Sequence, residues 1–500
     1  MIFNKIKYLN NKKFSYLILF SFFFLILNYS RFFFDTYNLE WYFSELSKYF
    51  YDKEYYFDIR LFKQNQANTT FYSLLLSPLN FVSNLNHDQI SIMRFFNFVP
   101  FFILVLIFYK NNILNFENKT FLLFLILLCP IINIYSFRIY PDFLSATFCW
   151  LSLIFLINKK KNSSVFMFII SFLLKPVSMI IFPIILGIIY YSKENKKQKI
   201  KLIIKFLFLT TFIYFFYILN FEKIIFSSYY QNTYVQLNLI KPVLNFLYYF
   251  NYATILISPA LFFLILEIIN IYKKNYKKVF LFVITIILLS LILLKFSFQN
   301  GEMNYGYLNK FLINNYITFI IIFFNTLISL LFVIICLNDK KIKPLFIGYL
   351  VCLIILSILV SRPAQRYLIY LLPLLFYIVI ELYHNKTKYL KISLLIYMVF
   401  FSFVNYGQKI FQINNLKSTN NIIKFIDQKK LFGQTHPGLA YHSHGYLFKR
   451  FLQNEIRDKK QVLYLFQIDN CQDSDNIIKM SKFYLFNFST QSRCLTRIYP

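Results

Sequence analysis

The sequence predicts an all-α polytopic membrane protein carrying a small α/β domain at its C-terminal end. Three observations predict it. The chain is 58% hydrophobic and 15% charged, where a soluble domain carries about 25% charged residues. Apolar runs long enough to cross a bilayer recur along it, separated by short lysine-rich connectors. After residue 405 the composition changes and polar stretches take over.

The abundance of Phe (66) and Tyr (41) beside few Gly (8) and Pro (13) is how AT-rich codons write any membrane protein, so it carries no functional weight. With so few small residues, close packing of the GxxxG kind cannot dominate the helix contacts. The net charge of +32 does not point to nucleic acid, because the cations gather in connectors. They stand at Lys5–Lys13, Lys159–Lys161, Lys193–Lys201, Lys273–Lys278, Lys340–Lys343 and Lys386–Lys391. Short loops rich in Lys and Arg mark the cytoplasmic side.

At roughly 20 residues per crossing, spans are expected near 14–30, 90–109, 120–136 and 143–157. Later ones follow near 202–219, 252–272, 279–296, 311–336, 345–361, 367–383 and 391–405. The apolar stretch 164–191 is too long for one helix, and both flanks are basic, so it must cross an even number of times. Two short helices meeting near Lys175-Pro176 satisfy that, since proline cannot continue the preceding hydrogen-bond ladder. The count becomes about 13 segments, with the N-terminus cytoplasmic, the C-terminus outside and every lysine cluster on the cytoplasmic face. No small-residue cleavage site follows the first segment, so it reads as a retained anchor.

The domain organisation expected is 1–405 in the membrane, with 31–89 as a long first outer loop, and 406–500 as an extracytoplasmic α/β domain. In that tail, 418–430 and 445–456 look helical, while 461–466 and 483–488 look like strands. Cys129, Cys149, Cys336 and Cys352 sit in or beside apolar segments as inert fillers, whereas Cys471 and Cys494 lie where an oxidising compartment allows pairing. His436, His442 and His444 lack an Asp or Cys at ligand spacing and read as a polar loop rather than a metal site.

Only 21 residues are acidic, and ionisable groups at membrane depth cost on the order of 2.5–3.5 kcal/mol each. On the expected outer face stand Asp35, Glu40, Asp58, Arg60, Arg94, Arg138, Asp142, Lys175, Glu302, Arg362 and Arg366. Each alone is explained by interfacial anchoring. Together, two acids at corresponding membrane edges and several cations suit group transfer from a phosphate-linked donor. A partly buried carboxylate takes the proton of an attacking hydroxyl, and Arg or Lys stabilises the leaving phosphate.

The motifs then acquire a family likeness. A first helix is followed by an outer loop opening with Asp35, then by Thr69-Thr70-Phe71-Tyr72-Ser73-Leu74-Leu75-Leu76-Ser77-Pro78-Leu79 and Ile90-Ser91-Ile92-Met93-Arg94-Phe95-Phe96-Asn97. Tyr140-Pro141-Asp142-Phe143-Leu144, Phe172-Leu173-Leu174-Lys175-Pro176 and Arg366-Tyr367-Leu368-Ile369-Tyr370-Leu371-Leu372-Pro373 complete the set. In order and spacing this resembles the GT-C glycosyltransferases of the protein O-mannosyltransferase and aminoarabinose-transferase type, over residues 14–200 and locally over 360–375. The Tyr-x-Asp turn is similar also to glucosyltransferases of dolichol pathways, within the same fold.

The resemblance implies an inverting transferase of the bacterial inner membrane that serves cell-envelope glycan biosynthesis. It would move a sugar from a polyprenyl-phosphate carrier to a glycan, lipid or protein hydroxyl. Asp35 would be the base, and Asp142 would orient the acceptor or a divalent cation; no other cofactor is implied. Glu40, Asp58, Arg60, Arg94, Arg138, Tyr140, Lys175, Arg362, Arg366 and Tyr367 would bind substrate. Many relatives carry an Asp-Glu pair where this chain has Asp35-Thr36, which leaves Asp35 to act alone or with Glu40. The competing classes are a transporter or lipid-linked glycan flippase, expected to show repeats and midplane charges, and an O-antigen polymerase or ligase, whose large outer loop usually comes late.

Overall fold

The structure is a computed structural model that describes residues 40–52, 71–82, 88–110, 116–136, 138–221, 240–272, 284–291, 315–359, 365–383, 389, 391–402 and 428, and four strands between 433 and 497. Helices make up nearly all of it. On the expected outer side lie α1 (Glu40–Tyr51) and α2 (Phe71–Leu76), the latter running into a 3₁₀ turn at Ser77–Val82. The first long helix is α3 (Asp88–Lys110), which tolerates Pro100 in its interior. Then come α4 (Phe116–Leu128), α5 (Pro130–Ser136), α6 (Pro141–Ile157), α7 (Lys161–Leu174), α8 (Phe182–Tyr191) and α9 (Lys196–Phe221). The second half holds α10 (Ile240–Tyr272), α11 (284–291), α12 (Asn315–Asn338), α13 (Lys343–Leu359), α14 (Leu372–Leu382) and α15 (391–402).

The expected spans map onto these helices with three corrections. The 120–136 segment is two helices, because Pro130 has no N–H to continue the ladder of α4 and starts α5 instead. The helix expected at 252–272 begins at Ile240, so part of the presumed loop 220–250 is helical. The 367–383 segment opens as a 3₁₀ turn over Gln365–Tyr370 before α14. The proposed hairpin at 164–191 breaks at the expected place: α7 ends at Leu174, Lys175 is extended (φ −159, ψ 114), and a 3₁₀ turn at Pro176–Ile181 leads into α8. The predicted segments 14–30 and most of 279–296 lie outside the described residues.

Counting only residues described in full, no helix is long and apolar enough to cross a membrane. The helix backbones run further. Asn315–Asn338 is 24 residues, about 36 Å at 1.5 Å per residue, against the ~30 Å of a hydrocarbon core. The outward faces are apolar as well: Phe208, Phe212, Phe215 and Phe216 on α9, and Ile347, Val351, Ile354 and Ile358 on α13, are all exposed. Helices apolar inside and out suit a hydrocarbon surrounding.

The tightest described helix contact, α6 against α7, is a serine seam. Ser145 and Ser171 exchange hydroxyl-to-carbonyl hydrogen bonds of 2.8 and 2.7 Å. Ser152 and Ser164 do the same at 2.8 and 2.7 Å, and the Cys149 sulfur lies 3.0 Å from the Ser171 hydroxyl. Scarce glycine therefore did not preclude close approach, because serine supplies both small size and the missing hydrogen bonds. At the tip of this hairpin Lys159 adopts φ 61. The Lys160 N–H donates to the Phe155 carbonyl and the Lys159 N–H to that of Leu156, the Schellman arrangement usually closed by glycine. A polar contact also ties α12 to α10, where the Asn325 amide donates to the Asn251 carbonyl at 2.9 Å.

The tail contains a four-stranded sheet in the order β1-β2-β4-β3 (Gly433–Thr435, Tyr464–Ile468, Thr490–Arg497, Ile477–Tyr484). β1 and β2 are parallel and the other pairings antiparallel. The predicted strand at 461–466 overlaps β2 over 464–466 and the one at 483–488 overlaps β3 over 483–484, the rest of both lying outside the described residues; β4 has no counterpart in the sequence expectation. The stretches 418–430 and 445–456, His436, His442, His444 and Cys471 fall outside the described residues, residue 428 excepted.

Candidate functional site

Two proline-directed helix ends build the centre. Tyr140 precedes Pro141 and is extended (φ −141, ψ 137), as a residue before proline must be. Proline then occupies the first helical position, where its missing N–H costs nothing. Asp142 follows in the first turn of α6, where the positive end of the helix favours a carboxylate. Lys175 repeats the device at the other pole: extended before Pro176, it caps the C-terminus of α7, where a cation is favoured. Because α6 and α7 are antiparallel neighbours, their opposite ends bring the two residues together.

The Lys175 ammonium donates to Asp142 Oδ1 at 2.6 Å, with side chains 1% and 0% exposed. Arg366, carried on the 3₁₀ turn before α14, places its Nε 4.0 Å from the same oxygen and remains 22% exposed. Its guanidinium lies over two rings, 5.7 Å from the centre of Tyr140 and 5.3 Å from that of Tyr367. Lys175 is 5.2 Å from the Tyr367 ring. Asp142 Oδ2 and Arg366 Nε are buried without a hydrogen-bond partner among the described residues. Burial holds Lys175 below the ordinary lysine range, with Asp142 opposing the shift, and it pushes the Tyr140 phenol up, with Arg366 opposing.

A second layer fixes this centre from the side of the first loop. Phe43 of α1 contacts Tyr72 of α2 at 5.1 Å and Tyr140 at 5.7 Å, both edge-on, and Tyr135 meets Tyr140 at 5.8 Å. The Tyr72 hydroxyl donates to the Asn97 carbonyl oxygen at 2.9 Å, and the Asn97 amide donates to the Arg138 backbone carbonyl. Thus α2 and α3 both hold the 138–140 segment that presents Tyr140 and Asp142.

Of the residues expected at the site, Tyr140, Asp142, Lys175, Arg366 and Tyr367 converge. The Arg138 guanidinium stands over Tyr135 at 5.6 Å, beside the centre. Arg94 is buried in α3. Glu40 is the first residue of α1, but its side chain, like Asp35, Asp58, Arg60, Glu302 and Arg362, lies outside the described residues. The sequence reading missed Tyr135 and the bracing roles of Tyr72 and Asn97, although both latter residues sit in the motifs quoted above. The usable signal was an Asn in the middle of an apolar helix, which demands a partner.

Among the described residues no three His, Cys, Asp or Glu side chains gather as a metal site. The charges argue separately: a divalent cation at Asp142 would face Lys175 and Arg366 on the same oxygen. Among the described residues one acid stands against two cations on that oxygen, a local surplus that fits an anion and disfavours a second cation there.

The fold and centre together define a class: a bundle of largely apolar helices holding a buried acid–cation cluster at the ends of its segments. No family model matches the chain, and no curated protein does. Two solved structures resemble it along nearly their whole length, both of ArnT from Cupriavidus metallidurans. The one bound to undecaprenyl phosphate is 10% identical with a TM-score of 0.38, covering 96% of this chain and 98% of that one. The apo form is 10% identical with a TM-score of 0.40, covering 97% and 98%. Likeness at that level does not bear on the chemistry of this chain.

Proposed function

We propose that this chain is a polytopic membrane glycosyltransferase of GT-C type, which moves a sugar from a polyprenyl-phosphate carrier to an acceptor hydroxyl on the outer face of a bacterial inner membrane. The observation that carries the reading is the buried Asp142–Lys175–Arg366 cluster. Its described members are two cations against one acid with an open carboxylate oxygen, at segment ends opposite the lysine-rich connectors. A lipid phosphate lies at headgroup depth, where such a surplus is neutralised.

In the reaction, Asp35 accepts the proton of the acceptor hydroxyl as its oxygen bonds to the anomeric carbon. The bond from that carbon to the phosphate oxygen breaks with inversion, and the phosphate departs with the electron pair. Arg366 and Lys175 stabilise the charge that grows on it. Asp142 Oδ2 is left to accept a hydrogen bond from a substrate hydroxyl, and Oδ1 holds Lys175. In sequence Asp35 precedes Glu40, the first residue of α1, by five residues. That caps their separation at about 18 Å, and α1 packs on Tyr140 through Phe43. The 406–500 region is the extracytoplasmic domain of this enzyme, in a topology of about 13 spans.

Membranes carrying the full chain would be given a radiolabelled polyprenyl-phosphate sugar. Sugar transfer by the parent and its loss in Asp35→Asn are the expected results. Undiminished transfer by the variant removes Asp35 from the mechanism. A parent unable to use any such donor returns the chain to the transporter class. A cysteine placed at 366, where the side chain is 22% exposed, should react with a membrane-impermeant reagent from outside only.

A further inference from the structure

Some distance from the charged centre, α6 and its neighbours enclose an apolar cavity of about 270 Å³. Its lining runs along α6 from Trp150 to Ile157 and includes Tyr370 and Leu345. The indole N–H of Trp150 is already spent on the Tyr370 carbonyl at 3.1 Å. Leu153 and Leu374 line its sides and are only half-buried. The cavity thus opens through hydrocarbon surface.

Cations stand near the lining residues Ile157 and Leu345 in sequence. Ile157 is the last residue of α6, and exposed Lys159 and Lys160 follow it; Leu345 is the third residue of α13, which begins at exposed Lys343. Among the described residues, two acids, Asp339 and Glu194, stand against the lysines of these connectors, which outnumber them. Asp339 accepts from the backbone N–H groups of Lys341 and Ile342 at 2.8 and 3.2 Å, and Glu194 pairs with Lys161 at 2.6 Å. An apolar slot bordered by an excess of lysines has the polarity of one kind of molecule, an anionic amphiphile.

We propose that this cavity is a binding site for a phospholipid of the cytoplasmic leaflet: it takes an acyl chain, and Lys159, Lys160 and Lys343 hold the lipid phosphate. The assignment rests on the membrane placement above but not on sugar transfer. It is distinct from the donor site. Asp142 and Ile157 are 15 residues apart on α6, about 22 Å along the axis, so the two phosphate positions face opposite leaflets. The three lysines imply a preference for anionic over zwitterionic headgroups on the order of tenfold or more.

The chain has two tryptophans, Trp41 and the cavity's own Trp150. Full-length Trp41→Phe protein in detergent would be titrated with phosphatidylglycerol brominated midway along one acyl chain, with Trp150 fluorescence as the readout. Saturable quenching near one lipid per protein is expected, with brominated phosphatidylcholine at least several-fold weaker. Replacing Lys159, Lys160 and Lys343 by alanine should erase that preference while quenching persists, and Leu153→Phe should abolish quenching by filling the slot. No quenching in the Trp41→Phe protein, or equal titrations for both headgroups, overturns the proposal. So does displacement of the brominated lipid by polyprenyl phosphate at a lower concentration than by phosphatidylglycerol. Because the readout needs no transferase activity, its failure and that of the glycosyltransferase reading are separable.

Discussion

Lys175→Met puts the central pair under the most direct strain. The 2.6 Å contact joins side chains that are 1% and 0% exposed, so removing the ammonium leaves the Asp142 carboxylate buried, with only Arg366 at 4.0 Å in compensation. Breaking such a pair from one side costs about 3–5 kcal/mol. Replacing both partners at once, as in Asp142→Leu with Lys175→Met, removes both desolvation penalties and is close to neutral in stability, or stabilising by about 1–4 kcal/mol. If Lys175 also faces the leaving phosphate, transfer falls by about 10²–10³-fold in the single variant and does not return in the double. Denaturant unfolding in mixed micelles reads stability; initial rates with a polyprenyl-phosphate sugar read transfer. The expected pattern is a destabilised, inactive single variant and a stable, inactive double. A single variant as stable as the parent would refute the buried-pair energetics. A double variant that regains transfer would show that the pair serves folding alone.

Arg366→Lys keeps the charge but loses the plane that rests on Tyr140 and Tyr367; a cation over a ring is worth about 0.5–2 kcal/mol. Transfer should therefore drop about tenfold without loss of folded protein, as read by kcat at saturating donor. Asn97→Leu removes the hydrogen bonds to Tyr72 and to the Arg138 carbonyl, costing about 1–3 kcal/mol. It should lower the unfolding midpoint and raise the KM for the donor, because the turn carrying Tyr140 loses its brace. Lys159→Gly relieves a left-handed conformation at the hairpin tip and should stabilise by about 0.5–1 kcal/mol, seen as a higher unfolding midpoint with unchanged transfer.

Much of this centre was legible in the sequence because it is written in local rules. The lysine clusters on both flanks of 164–191 forced a hairpin, and Pro176 said where it turns; Lys175 emerges at that turn, facing Asp142. Tyr-Pro-Asp likewise announces a helix start with an acid in its first turn. What escaped were properties of pairs. Ser145, Ser152, Ser164 and Ser171 look like ordinary polar dilution until two helices are laid side by side. Asn97 and Tyr72 are separated by 25 positions and meet only through the tertiary fold. β4, Thr490–Arg497, lacks an apolar alternation, and its place between β2 and β3 comes from long-range pairing that no single window contains.

The serine seam and the ion pair share one register. Partner separations run 12 for Ser152–Ser164, 26 for Ser145–Ser171 and 33 for Asp142–Lys175. Each rung lies three to seven residues further along both helices, on the faces that meet. The charges are thus the last rung of a ladder whose lower rungs are locked by reciprocal hydrogen bonds. One residue inserted in α6 between 142 and 152, or in α7 between 164 and 175, would rotate its charge by about 100° and shift it 1.5 Å along the axis, with no flexible joint to absorb the change. At the tip, 158–160, the same insertion would lengthen only a turn. The hairpin therefore tolerates an added residue at its tip and not along its helices, and the distance from tip to charge is as much part of the site as the charges themselves.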